Sequence, residues 1–220
     1  MKKIGVQNRY TLLLFSLIAL LLLSPFLSKL NFPAFSFLLL AIVVFMLKAL
    51  KIHRGLFVLC AALAIAGILI EGMVLLDKLP EYRLLFSVLI QGFYLFFAVF
   101  STTVLVMRIF AEKTVSADTI GGGICVYLLT GLFWALLYQL IVMLDPRAFV
   151  ILTPGKQIED LFIYYSFGTL TTLGLGDISP MNELAMALST LEAIWGQIFL
   201  TVFIARLVGL HLAFKQTTRR

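Results

Sequence analysis

Six long apolar stretches, separated by short polar segments, constrain this chain more than any other feature of its sequence. A helix that crosses a bilayer needs about 20 consecutive and mostly apolar residues. Apolar residues make up 62% of the chain and charged residues 13%, whereas soluble domains average about 45–50% and about 25%. The sequence therefore predicts an all-α integral membrane protein with six transmembrane helices, at about 10–29, 33–50, 55–76, 84–107, 119–143 and 182–212.

The basic residues indicate how these helices are oriented. If the N-terminus is cytoplasmic, 12 of the 17 Lys and Arg residues fall in cytoplasmic segments and 5 in external segments. Cytoplasmic loops of membrane proteins carry such an excess of positive charge. We predict a multi-pass protein of the cell (inner) membrane with both termini in the cytoplasm. The first stretch also resembles a signal peptide, but its length and the lack of a small-x-small cleavage site favour a retained span.

Other function classes find little support in the sequence. The Lys and Arg residues interrupt the apolar stretches instead of forming the patches of nucleic-acid-binding proteins, so we expect no nucleic acid partner. No spacing of His, Cys, Asp and Glu suits a metal, a nucleophile or an acid–base pair. We therefore predict neither an enzyme nor a cofactor. Cys60 and Cys125 lie inside apolar stretches, which is typical of buried, unpaired thiols.

The segment 144–181, between the last two predicted spans, has a different pattern. It begins with the polar, turn-rich stretch DPRAFVILTPGKQIED and continues with ten mostly apolar residues, LFIYYSFGTL. Ten residues are too few to cross a bilayer, but they suit a re-entrant half-helix. Glu159 and Asp160 suit its first turn, where negative side chains are favoured. The segment therefore predicts a half-helix that enters the membrane and returns.

The half-helix leads directly into the stretch TLTTLGLGDISP, residues 169–180. Irregular backbone is tolerated at membrane depth only where it is buried in protein or lines a water-filled cavity. Gly174 and Gly176 can adopt positive φ angles without steric cost, and their alternation with leucines would let successive carbonyls point the same way. Stacked carbonyl rings of this kind replace the hydration shell of a monovalent cation. A dinucleotide-binding loop would need a preceding strand and a third glycine, and the sequence has neither.

The stretch TLTTLGLGD resembles the signature of potassium channel pore loops, Thr-x-Thr-Thr-x-Gly-Tyr-Gly-Asp, and differs only in Leu175, which replaces the tyrosine. The resemblance covers about residues 119–213 and is closest to the six-transmembrane prokaryotic type, with an outer helix, pore helix, filter and inner helix. It implies a selectivity filter formed by Thr172, Leu173, Gly174, Leu175, Gly176 and Asp177. Permeating K⁺ would bind at the first four of these, and Asp177 would lie at the outer mouth. Because each chain carries one filter segment and a ring needs about four, a homotetramer follows.

The resemblance assigns supporting roles to further residues. Tyr164 and Tyr165 fall where the family carries an aromatic cuff around the filter, although aromatic anchoring at the membrane interface explains them equally well. Gly196 falls at the hinge of the inner helix, or it simply allows close helix packing. The same register implies a cavity below the filter that is lined by Gln197, Thr201, Ile204 and Ala205.

Two departures from the family pattern bear on the filter. Leu175 has no hydroxyl to bond the aromatic cuff, which would loosen potassium selectivity, and Gly168 stands where some relatives carry a carboxylate. Glu192 is an ionisable residue at membrane depth, where such residues are usually functional. We hypothesise that Glu192 supports the filter by reaching behind the pore helix towards Thr169 or Thr171. The alternative is a partner on a neighbouring helix.

The chain divides into two predicted domains. Residues 1–114 predict four helices arranged like a voltage sensor, and residues 115–220 predict the pore domain. The fourth stretch contains no arginine between Arg83 and Arg108, whereas a voltage sensor needs several within the membrane. The leading hypothesis is a passive, potassium-selective channel in a lipid bilayer, without steep voltage gating. The alternatives are a poorly selective monovalent cation channel and a non-conducting, modulatory subunit.

Overall fold

A computed structural model describes residues 9–27, 65, 82–112, 116–152, 158–206, 208–210 and 212. Five helices have described bounds: α1 (Arg9–Leu27), α2 (Arg83–Ala111), α3 (Ala117–Leu144), α4 (Ile158–Leu170) and α5 (Glu183–Ile198). α5 continues as a π-helical segment, Phe199–Ile204, and two short strands, β1 (Phe149–Ile151) and β2 (Ile178–Pro180), flank α4. The predicted spans at 33–50 and 55–76, and with them the count of six, lie outside the described residues.

Among the residues that the structure describes, three helices are long and apolar enough to cross a membrane, at 84–111, 117–144 and 183–210. They correspond to the last three predicted spans, and their bounds differ from the predicted ones by a few residues. α1 corresponds to the first predicted span. The described chain is thus mostly helical, as expected of an all-α, multi-pass membrane protein.

α3 lies between the other helices. It packs against α1, α2 and α4, and its buried residues surround its axis, as Val126, Leu129, Ala135, Tyr138 and Ile141 show. A helix that is apolar on all sides is typical of a protein core or of a membrane span. α3 combines both features, because it is long and apolar enough to cross a membrane and is enclosed by three other helices.

α1 packs against the N-terminal half of α3 and is held there by a polar cluster. The Asp118 carboxylate of α3 accepts hydrogen bonds from the Thr11 backbone N–H (2.9 Å) and from the Thr11 hydroxyl (2.7 Å). The Glu112 carboxylate accepts from the hydroxyls of Tyr10 (3.0 Å) and Thr119 (2.6 Å). The first helix of the predicted N-terminal domain therefore contacts the predicted pore domain directly.

Asp118→Asn is expected to loosen this end of α1. Asp118 satisfies a backbone N–H in the first turn of α1, and loss of such a cap typically reduces stability by about 1 kcal/mol. The substitution also removes a negative charge that favours the helix N-terminus. We expect the backbone amides around Thr11 to exchange hydrogen about 5-fold faster, as measured by mass spectrometry. Glu183→Gln is the control, because it removes a charge from the first turn of α5; unchanged exchange in Asp118→Asn would contradict the prediction.

Two short strands connect the end of α3 with the segment after α4. β1 and β2 pair antiparallel. The Leu152 N–H donates to the Asp177 carbonyl (2.9 Å) and the Met181 N–H donates to the Ala148 carbonyl (2.8 Å) at the two ends of the pair. The sequence does not predict these strands, because three residues show too little alternation to be recognised. The pair holds the exit of the TLTTLGLGD stretch beside the end of α3.

Candidate functional site

α4 is the predicted half-helix, and its C-terminal carbonyls hold the residues that follow it. Glu159 and Asp160 lie in its first turn, as predicted. The Gly168 carbonyl accepts hydrogen bonds from the N–H groups of Leu173 (2.7 Å) and Gly174 (3.2 Å). The stretch after α4 is therefore folded back against the end of the helix.

The backbone of this stretch alternates between left-handed and ordinary conformations. Thr172, Gly174 and Gly176 have positive φ angles of 59°, 55° and 80°, whereas Leu173 and Leu175 between them do not. Both glycines therefore adopt the positive φ angles that glycine allows without steric cost. Thr172 is the one non-glycine residue in the described part of the chain with positive φ. This conformation is rare for a β-branched residue and is found mainly at functional sites.

The hydroxyl of Thr172 takes part in two hydrogen bonds, one to the backbone and one to a side chain of α5. Its hydroxyl donates to the Thr171 carbonyl (2.7 Å), and the side-chain amide of Gln197 on α5 donates to the same hydroxyl (3.4 Å). The Thr171 hydroxyl donates in turn to the Phe167 carbonyl of α4 (2.6 Å). The structure therefore places Gln197, a predicted cavity residue, in contact with the first residue of the predicted filter.

Most of the predicted filter residues and three of the four predicted cavity residues are exposed in the single chain, whereas Ile204 packs against the buried cluster that includes Leu105 and Leu129. Residues 171–176 are exposed, although several residues of α4 behind them are fully buried. Gln197, Thr201 and Ala205 are exposed and Ile204 is half-buried. Arg206 instead lies over the ring of Phe110 on α2, 5.2 Å from its centroid. The Arg206 guanidinium therefore contacts α2.

Gly196 is the position at which α5 touches the end of α4. A Cβ atom there would overlap the carbonyl oxygen of Leu170 and lie 2.9 Å from its carbonyl carbon. The same oxygen accepts a hydrogen bond from the Tyr127 hydroxyl of α3 (3.3 Å). This geometry favours close packing as the role of Gly196, and its role as a hinge stays a prediction.

Tyr165, one of the two predicted cuff residues, faces the helices behind the filter. Its ring packs against the rings of Tyr138 and Phe149, with centroids 5.2 and 5.4 Å away. Its hydroxyl lies 2.7 Å from Ser189 Oγ on α5. Tyr165 therefore bonds α5, and Leu175 offers no hydroxyl to it. Ser189 is not predictable as its partner from the sequence, because a single serine in an amphipathic helix does not stand out from the pattern.

A small cavity lies between α4 and the predicted filter. Its volume is about 30 Å³, which is room for about one water molecule. It adjoins Gly168 and Leu175, the two departures from the family pattern. Tyr164 also borders the cavity and forms a side-chain hydrogen bond with Asp177. The other lining residues are Tyr165, Thr169, Gly174, Gly176 and Ile178.

Glu192 is fully buried between three helices. Its carboxyl oxygens lie 2.5 Å from the Ser166 hydroxyl of α4 and 2.7 Å from the Tyr138 hydroxyl of α3. It thus reaches the back of α4 and also has a partner on a neighbouring helix. The sequence does not identify either partner, because a serine and a tyrosine within apolar helices are unexceptional. The only signal was the buried carboxyl itself, which requires polar partners.

The register of α5 on α4 explains why the partner of this carboxyl is Ser166 and not Thr169 or Thr171. Gly196 touches Leu170. The residue one turn earlier on α5 therefore faces the residue one turn earlier on α4, which is Ser166. The threonines lie beyond this contact, nearer the predicted filter.

Comparison with known proteins bears on this same region. The curated proteins and the solved structures gave no match to the chain. The model of a family described as "Ion channel" matches residues 119–210, which run from the first turn of α3 through α4 and the TLTTLGLGD stretch to the end of the inner helix. The match supports an ion-channel pore built from these elements.

Proposed function

We propose that the chain is a subunit of a passive, potassium-selective channel of the six-transmembrane prokaryotic type, in which four copies surround one pore. The observation that carries the proposal is the alternation of positive φ at Thr172, Gly174 and Gly176, directly after a half-helix with a buried face. The family match over 119–210 supports an ion channel. Potassium selectivity and the tetramer are inferred from the filter residues.

In the proposed filter, K⁺ is the permeating ion and no cofactor takes part. It is held by the Thr172 hydroxyl and by the backbone oxygens of Thr172, Leu173, Gly174 and Leu175. Such oxygens replace the hydration shell of the ion. Gly176 completes the alternation, and Asp177 places a carboxylate at the outer mouth. The C-terminal end of α4 carries a partial negative charge, which favours a cation beside it.

Four copies are proposed because each chain contributes one filter segment and a carbonyl ring needs about four. The single chain exposes large apolar side chains on the filter and on α5, for example 64% of Leu173 and 50% of Trp195. In a closed homotetramer, neighbouring copies would cover part of this surface and lipid would contact the rest.

The remaining residues have supporting roles in this proposal. Gln197 steadies the innermost filter residue through its contact with Thr172. The inner helix lines the cavity below with Gln197, Thr201, Ile204 and Ala205. Gly196 packs closely on Leu170 and is also the point at which this helix is able to bend. The filter is supported from behind by Tyr164, Tyr165, Thr169, Thr171 and Glu192.

We place the channel in the cell (inner) membrane with both termini in the cytoplasm and monovalent cations as its permeating partners. α2 has no charged residue between Arg83 and Arg108. Moving one charge through the membrane field changes the energy by about 2.3 kcal/mol per 100 mV. A helix without internal charges gains little of this energy, so opening is expected to depend weakly on voltage.

A poorly selective monovalent cation channel is the second candidate. The observation in its favour is the cavity of about 30 Å³ behind the filter, beside Gly168 and Leu175. A filter with few side-chain atoms behind it is free to contract around a smaller ion such as Na⁺. The two candidates therefore differ in the rigidity of the same carbonyl rings.

Cation flux through purified protein in liposomes tests the proposal. We expect flux under potassium and rubidium gradients, no measurable flux under sodium or lithium gradients, and no flux in a Gly174→Ala variant. Equal sodium and potassium flux would favour the second candidate. No flux from a protein shown to be tetrameric would instead favour a non-conducting, modulatory subunit.

A further inference from the structure

Within the described part of the chain, the partners of the Glu192 carboxyl are hydroxyl groups. Ser166 and Tyr138 lie 2.5 and 2.7 Å from its two oxygens. Among the residues that the structure describes, no Lys, Arg or His pairs with it. Glu192 lies in the first half of the membrane-capable segment 183–210 and is fully buried. A charge at such a position is costly unless it is paired, so the surroundings disfavour the ionised form.

The hydrogen bonds around Glu192 can be counted proton by proton. Ser166 Oγ lies 2.5 Å from Glu192 Oε1 and 2.7 Å from the Gly131 carbonyl oxygen, but a serine hydroxyl has one proton to donate. If Glu192 is ionised, two acceptors compete for that proton. If Oε1 carries a proton, Glu192 donates to Ser166, Ser166 donates to Gly131 and Tyr138 donates to Oε2. Only this second arrangement supplies a separate proton to each of the three contacts.

We propose that Glu192 is an uncharged carboxylic acid whose proton completes a hydrogen-bond chain from Tyr138 through Ser166 to Gly131. These hydrogen bonds join α3, α4 and α5. Tyr138 and Gly131 lie on α3, Ser166 lies on α4 and Glu192 lies on α5. Glu192 is then a positioning residue for α4 and for the filter that follows it. This functional consequence rests on the proposed function.

The titratable groups that face Glu192 from the described helices are tyrosines. They are Tyr127 and Tyr138 on α3 and Tyr165 on α4. A neutral phenol donates a hydrogen bond but offers no positive charge. Removal of the Glu192 proton at alkaline pH would therefore leave an uncompensated negative charge among three helices. It would also remove the hydrogen bond that Glu192 donates to Ser166. We expect the wild-type filter to become less selective as this proton is lost.

Two variants test whether position 192 requires a neutral side chain that forms hydrogen bonds or only an apolar side chain of similar size. Glu192→Gln keeps the shape, has no charge, and can donate to Ser166 while accepting from Tyr138. Glu192→Leu keeps much of the volume but leaves both hydroxyls without this partner. We expect the Gln variant to melt within about 2 °C of the wild type and the Leu variant about 5–10 °C lower.

Infrared difference spectroscopy tests the proton directly. The spectrum of the wild type in lipid at neutral pH, minus that of Glu192→Gln, is expected to show the C=O stretching band of a protonated carboxylic acid, shifted in D₂O. Carboxylate bands in its place would overturn the proposal. A Gln variant that melts as low as the Leu variant would also overturn it.

Flux measurements test the positioning role. The ratio of sodium to potassium flux in the wild type is expected to rise at alkaline pH, whereas the ratio in Glu192→Gln is expected to stay constant. An equal rise in both proteins would contradict the role assigned to this proton. A wild type without any cation flux would count against the proposed function. The infrared and melting measurements would still decide whether Glu192 is protonated.

Discussion

Gly196→Ala is expected to prevent the pore region from folding into its observed packing. The added Cβ atom would overlap the Leu170 carbonyl oxygen, which belongs to the backbone of α4 and cannot rotate away. Leu170 is fully buried, and its carbonyl also accepts a hydrogen bond from Tyr127. Overpacking of a well-packed site typically costs about 1–3 kcal/mol and occasionally more. Because the added atom meets the backbone of α4 and not a flexible side chain, we expect a loss of stability at the upper end of this range or beyond it.

The melting temperature of the purified protein and its yield as an assembled oligomer would measure this effect. We expect a decrease of about 10 °C or more in Gly196→Ala, or the loss of assembled protein. Gly209→Ala is the matched control, because Gly209 lies in the same inner helix and a Cβ atom there would meet no atom within 4 Å. A Gly196→Ala protein that assembles and melts like the wild type would show that the contact with Leu170 is not tight, and would restore bending as the main role of Gly196.

Gly174→Ala is expected to abolish cation flux without abolishing assembly. A Cβ atom at Gly174 would meet no atom within 4 Å of the same chain, so the substitution is not sterically blocked by a neighbour. Its φ angle of 55° is left-handed, and a side chain in this conformation costs about 1–2 kcal/mol per residue. Four copies in one ring would multiply this strain. Relief of the strain would turn carbonyls away from the ion.

The control for this variant lies six residues earlier in the chain. Gly168 has the same open space around its Cβ position but does not have a positive φ angle. Gly168→Ala is therefore expected to keep cation flux within a few-fold of the wild type. Flux through Gly174→Ala at the wild-type level would contradict the proposal that alternating backbone conformation forms the ion pathway. Loss of flux in both variants would point to sensitivity of the whole loop and not to φ.

The sequence alone predicted the helices that the structure describes, because length and apolar character act locally. A run of about 20 apolar residues has few alternatives in a bilayer, and α2, α3 and the inner helix follow these runs within a few residues. The half-helix was predictable for the same reason, since its apolar run is too short to cross. Glycine alternates with leucine at residues 173–176, and glycine can adopt positive φ angles without steric cost. The sequence therefore shows that Gly174 and Gly176 are free to adopt such angles.

Only the tertiary structure showed which side chains meet. The partners of Glu192, Tyr138 and Ser166, stand 54 and 26 positions away in the chain, and the contact of α1 with Asp118 spans 107 positions. Apolar patterns specify that helices are buried but not how one is rotated or shifted against another. That register is decided by close contacts such as Gly196 on Leu170, where the absence of one side chain lets two backbones meet. Hydrogen bonds between distant residues follow from the register, and so they become visible only once the helices are packed.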